Sequence, residues 1–113
     1  MSSPGERLRA EREAVLRRLT DLHEDHAAMV EASRDSNADD EHDPEGHTIA
    51  YERSQVDTHI RLAERRLAEV EAALASVEAG SYGTCAGCGR PIAAERLEAR
   101  PAATTCVACA ARR

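Results

Sequence analysis

Residues 49–77 read IAYERSQVDTHIRLAERRLAEVEAALASV. Ile49, Val56, Ala63, Val70 and Val77 recur every seven residues, and Ile60, Leu67 and Leu74 fill the complementary row. These positions alternate by three and four, the spacing that keeps one stripe of an α-helix turned toward a partner helix. The stretch therefore predicts a long coiled-coil helix. Asp43-Pro44 can start it and Gly80 can stop it, since proline suits a first helical position and glycine the residue past a C-terminus. The expected helix covers about 46–79.

A partner is written upstream. Ser3-Pro4-Gly5-Glu6 has the form of a helix start, with Ser3 as cap and Glu6 where a capping box places its acid. Leu8, Val15, Leu22 and Met29 then recur every seven residues, with Leu19 between them; the same row runs through Arg12 and His26. This predicts a first helix over about 4–33. A histidine in such a seam forms a polar layer that can set register.

Between the helices the periodicity stops. Residues 35–45 hold six acids and no Arg or Lys. Asp, Asn, Ser and Pro there compete with helical hydrogen bonding, so about 34–45 is expected as a loop. Two long helices joined by so short a loop fold back as an antiparallel hairpin, a rod of roughly 50 Å at about 1.5 Å per residue. The fold class is thus mainly α: a two-helix coiled-coil hairpin over 1–79, its acidic loop at one end, and a small C-terminal module over 80–113 at the other.

That module contains all four cysteines, as Cys85-Ala86-Gly87-Cys88 and Cys106-Val107-Ala108-Cys109. Two C-x-x-C pairs at this separation point to a tetrahedral zinc site, each pair forming a turn that aims two thiolates at one point. Gly87 and Gly89 permit the tight backbone such turns need. Four protein ligands leave no position for a reactive water, so one structural Zn2+ per chain is expected, with an iron–sulfur cluster as the alternative for the same ligands. A thioredoxin-like redox pair would need a βαβ context that this sequence lacks.

Composition narrows the classes further. The 113 residues include no Phe, no Trp and two Tyr, and 32% are charged. All 15 basic residues are Arg. The net charge of −6 argues against direct DNA binding, which needs a basic surface. No stretch approaches the ~20 apolar residues that span a bilayer. Met1–Glu6 carries no apolar run of a signal peptide, so a cytoplasmic location with reduced thiols is expected. No nucleophile–base pair or open metal site is visible, so the chain is read as a non-enzyme.

Gly80-Ser81-Tyr82-Gly83-Thr84-Cys85, Cys88-Gly89, Ile92, Arg96-Leu97-Glu98-Ala99-Arg100-Pro101 and Cys106-x-x-Cys109 resemble the DksA/TraR C4-type zinc-finger family. A helical hairpin with an acidic far end fits that family too. The resemblance implies a transcription regulator that binds RNA polymerase and passes its coiled-coil tip through the secondary channel toward the catalytic magnesium. The family's tip motif is Asp-x-x-Asp-x-Ala; here Asp40 and Asp43 match its acids, and Glu45 replaces the alanine. A second register beginning at Asp43-Pro44 has Gly46 at the second acid. Arg100 matches an arginine that contacts the alarmone ppGpp in the family, whereas the basic residue after the last cysteine is Ala110 here.

Other residues have plainer readings. His42 and His47 flank the acids, His23 and His59 are ordinary helical residues, and Tyr82 is expected to pack. Arg90, Arg96, Arg100, Arg112 and Arg113 outnumber Glu95 and Glu98, making the module locally basic. Two alternatives to the polymerase regulator follow: a zinc-finger adapter for another protein with an inert tip, and a small nucleic-acid-binding zinc protein.

Overall fold

Helix α1, Pro4–Asp35, opens with the capping box that Ser3 and Glu6 encode. The Glu6 amide donates to Ser3 Oγ at 3.1 Å, and the Ser3 amide donates to Glu6 Oε1 at 3.2 Å. Two amides that helical geometry leaves without partners are thereby satisfied. The Ser3 hydrogen bonds, the backbone amide's first, hold the Glu6 carboxyl below its ordinary range. This computed structural model describes residues 3–35 and 44–112. Asp40, Asp43 and His42 lie outside the described residues.

Helix α2, Pro44–Ala79, begins two residues before the expected start and ends at Gly80. Gly80 takes φ +76°, its amide donates to Val77 O at 3.2 Å, and the Ser81 amide donates to Ser76 O at 2.9 Å. This is the paired bonding of a Schellman stop, and only glycine enters that left-handed conformation without a Cβ penalty. Two short helices follow, α3 (Ala94–Ala99) and α4 (Val107–Ala111). Among the described residues there is no strand, only an isolated antiparallel bridge between Thr84 and Pro91. None of the helices is long and apolar enough to cross a membrane.

The chain forms two compact units, one of Met1–Ala14 with Arg66–Arg113 and one of Val15–Arg65. In the first, α1 and α2 run antiparallel. Leu8 and Val70 are fully buried, with Ala73 and Ala102 beside them and Leu74, Val77 and Tyr82 packed around. Fully burying a leucine or valine contributes roughly 1.5–3 kcal/mol. Ala102 comes from the stretch between α3 and α4, so the cysteine module shares its core with the base of the helix pair. Seam position Arg12 is exposed. Its neighbour Glu11 turns inward instead and pairs with Arg66, because a carboxylate there meets a facing guanidinium.

In the second unit the predicted seam residues Leu19, Leu22, Val56 and Ala63 are buried. Val15, Met29, Ile49 and Ile60 are half-buried, while Leu62, off the stripe, remains 50% exposed. His26 provides the polar layer: its Nε2 lies 3.0 Å from Asp57 Oδ1. A hydrogen-bonded pair at one level of the seam favours this register of the helices, since any other would lose the contact.

Candidate metal centre

The first cysteine pair sits on a tight turn closed by four backbone hydrogen bonds. The Ile92 amide donates to Gly83 O at 2.7 Å, that of Cys85 to Arg90 O at 2.8 Å, and that of Gly89 to Cys85 O at 2.9 Å. The Ala86 amide donates to Thr104 O at 2.8 Å and ties this turn to the second cysteine segment. Gly89 adopts φ +75°, as the sequence implies. Gly87 matters for a different reason: a Cβ there would stand 3.1 Å from Cys109 Sγ. The second pair is placed by α4, where Cys106 precedes the first turn and Cys109 lies within it.

All four sulfurs converge, lying within 4.8 Å of one another. Cys88 Sγ and Cys106 Sγ are 3.9 Å apart. Tetrahedral zinc with Zn–S bonds of ~2.3 Å requires sulfurs about 3.8 Å apart, so the arrangement suits one ion. Cys85 is buried, Cys106 and Cys109 are half-buried, and Cys88 faces solvent.

The electrostatics point the same way. Amide hydrogens of Cys106 and Gly87 each approach Cys85 Sγ at 3.3 Å. Led by the Cys106 amide, they stabilise the thiolate and pull the Cys85 thiol down to about 6. The Cys106 thiol is also lowered, chiefly by the Cys109 amide. Cys109 is pushed up to about 12, first by sharing its proton with the Cys85 sulfur and then with those of Cys106 and Cys88. Four thiolates this close repel one another, so full ionisation needs a cation at their centre. Zinc supplies that charge.

Other contacts brace the site. Arg96 Nε donates to Thr105 O at 2.8 Å, and the Tyr82 hydroxyl donates to Pro101 O at 2.8 Å. Burial raises the Tyr82 hydroxyl above its ordinary range. Arg100 caps α3 and lines an open cleft of about 480 Å³ with Arg66, Glu69, Arg96, Thr104 and Ala110, among others. Arg66 and Glu69 belong to α2, some thirty positions upstream of Arg100, and no local pattern announces that they meet it. Arg66 reaches Glu69 at 3.5 Å and Glu11 by a direct ion pair. Glu45 lies in α2, as does His47.

Fold and site together define a small helical protein whose metal-binding finger is built into the base of an antiparallel helix pair. Residues 80–113 match the family model of the prokaryotic dksA/traR C4-type zinc finger. Residues 80–113 are thus similar to that zinc-finger module, and the four cysteines form a C4 site for one zinc ion. The uncharacterized protein YteA of Bacillus subtilis (strain 168) is 43% identical over 70 residues, covering 61% of this chain and 29% of that protein. The RNA polymerase-binding transcription factor DksA of Caulobacter vibrioides (strain NA1000 / CB15N) is 34% identical over 86 residues, 70% of this chain and 61% of the relative. The chain thus spans less than two thirds of either curated relative. The solved structure of transcription factor DksA2 from Pseudomonas aeruginosa shares the fold, with a TM-score of 0.57 at 24% identity over 93% of this chain and 81% of that one.

Proposed function

We propose that this chain is a non-catalytic, cytoplasmic transcription regulator that acts directly on RNA polymerase, entering by the secondary channel with Asp40, Asp43 and Glu45 at its leading end. The observation that carries the reading is the shared core of Leu8, Val70, Ala73 and Ala102. It fixes the finger to the adjoining stretches of both long helices. Similarity to a relative whose name states that it binds RNA polymerase supports the partner. Stiffness matters because a flexible arm would lose conformational entropy on entering a narrow channel. Carboxylates carried at the end of such an arm place negative charge near the polymerase's catalytic magnesium and alter the energetics of open-complex formation.

The cleft beside the finger supports a second element of this reading. Arg66, Arg96 and Arg100 line it together, and guanidinium forks are suited to phosphate. In this reading Arg100 contacts ppGpp there.

The test is a photo-cross-linker installed at position 40, with purified core RNA polymerase as target. Cross-links to residues lining the secondary channel, accompanied by co-purification of the zinc-loaded chain, are expected. Co-purification with cross-links only to the outer surface would remove the tip from the mechanism. Absence of any association would favour an adapter for another protein, and a salt-sensitive DNA shift would favour a nucleic-acid-binding zinc protein.

A further inference from the structure

The cleft that holds Arg100 is not uniformly basic. Of the three guanidiniums lining it, Arg66 is already committed to two carboxylates, Glu11 and Glu69. Arg96 spends its Nε on the Thr105 carbonyl, leaving only its terminal nitrogens to the cleft. Arg100 is exposed and has no side-chain partner among the described residues. Ala110, at the position where the family resemblance expects a base, lines the same cleft without charge. The carboxylate of Glu69, itself 57% exposed, lines the cleft alongside these cations.

We propose that Glu69 is the specificity-determining residue of this cleft: a built-in carboxylate that competes with incoming anions for Arg66 and disfavours polyphosphates over anions of low charge. The proposal rests on the reading of the Arg100 cleft as an anion site. The physical ground is simple Coulombic competition. A ligand carrying several phosphate charges must either displace Glu69 from Arg66, at the fixed cost of that ion pair, or bind with the Glu69 carboxylate still facing it, where the repulsion grows with ligand charge. A singly charged ligand, such as a carboxylate, can be held by Arg96 and Arg100 alone and meets much less of that repulsion. Glu11 keeps Arg66 in place when Glu69 is neutralised, so the substitution frees a cation without dismantling the cleft.

Isothermal titration of the zinc-loaded chain with inorganic pyrophosphate and with ppGpp, at low ionic strength, tests this. Glu69→Gln is expected to tighten both by about fivefold or more, with the gain shrinking as salt screens the exposed charges. Glu71→Gln removes the same net charge from an exposed site outside the cleft and is expected to change little. Adding Arg100→Ala to Glu69→Gln is expected to cancel the gain. Equal affinity of Glu69→Gln and the parent, with Arg100→Ala still weakening binding, would overturn the role of Glu69 and leave the anion cleft standing. Equal gains from Glu71→Gln and Glu69→Gln would also overturn it, reducing the effect to net charge. If Arg100→Ala changes nothing in any background, or no variant binds either probe, the anion reading of the cleft falls with it.

Discussion

The phenolic hydroxyl of Tyr82 donates to the carbonyl oxygen of Pro101 at 2.8 Å while its ring packs on the core of Leu8, Val70, Ala73 and Ala102. One side chain thus fastens the segment entering the finger to the segment leaving α3 and seats both on the helix pair. Tyr82→Phe keeps the ring and leaves the Pro101 carbonyl without this donor, so a loss of about 1 kcal/mol is expected in urea unfolding. The same residue gives a pH signature. Because its folded-state hydroxyl is raised above 10, its contribution is fully present below pH 10 and is lost as pH climbs through the raised value. Wild type is expected to lose stability on that alkaline limb more than Tyr82→Phe does.

Zinc should bind at one ion per chain through four sulfurs. Elemental analysis with X-ray absorption checks this; a nitrogen or oxygen ligand, or iron in place of zinc, would contradict it.

Because Ala102 and Tyr82 sit in the same core as Leu8 and Val70, removing zinc should loosen more than the finger. Structural zinc contributes on the order of 10–16 kcal/mol in isolated fingers. Chelation, or Cys88→Ser, is expected to raise amide exchange across residues 66–79 as well as 80–112. Unchanged exchange in α2 would mean the helix pair holds itself together without the metal.

Two glycines should fail in different ways. Gly87→Ala places a Cβ 3.1 Å from Cys109 Sγ and 3.3 Å from its Cβ, and is expected to weaken zinc affinity in a competition titration with a chelator. Gly80→Ala meets nothing within 4 Å but must hold φ +76°, so it is expected to cost about 1–2 kcal/mol of stability and leave zinc affinity alone. Identical zinc affinities for the two variants would remove the steric argument.

Along the seam, Leu8→Ala is expected to cost about 2–5 kcal/mol, since Leu8 is fully buried. Ile60→Ala and Leu67→Ala, both half-buried, should cost less, and Leu62→Ala less than about 0.5 kcal/mol. Chemical denaturation ranks the four. Equal losses would show the assigned stripe to be incorrect.

On the proposed function, replacing Asp40 and Asp43 together by Asn should leave polymerase binding near normal and abolish the effect on transcription from a sensitive promoter. Affinity is expected to come from the helices and the finger. Circular dichroism checks that helicity survives. Full regulation by the double variant would remove Asp40 and Asp43 from the mechanism.

The features legible in the sequence all depend on spacing along the chain. The capping box of Ser3 and Glu6, the stop at Gly80, the buried stripe through Val56, Ala63 and Val70, and the convergence of Cys85, Cys88, Cys106 and Cys109 each follow from residues a turn, a heptad or a knuckle apart, or from paired knuckles. Helical periodicity and metal geometry turn such spacings directly into positions in space. Only the tertiary structure decided that Ala102 and Tyr82 join the core of the helix pair, that Glu11 and not Arg12 turns inward to Arg66, and that Arg66 and Glu69 share a cleft with Arg100. An alanine buried by a partner some thirty residues away has no periodic neighbour to betray it. An exposed-looking charge on a helix becomes an ion pair only when a second segment brings its counter-charge within reach, and that depends on how the segments pack.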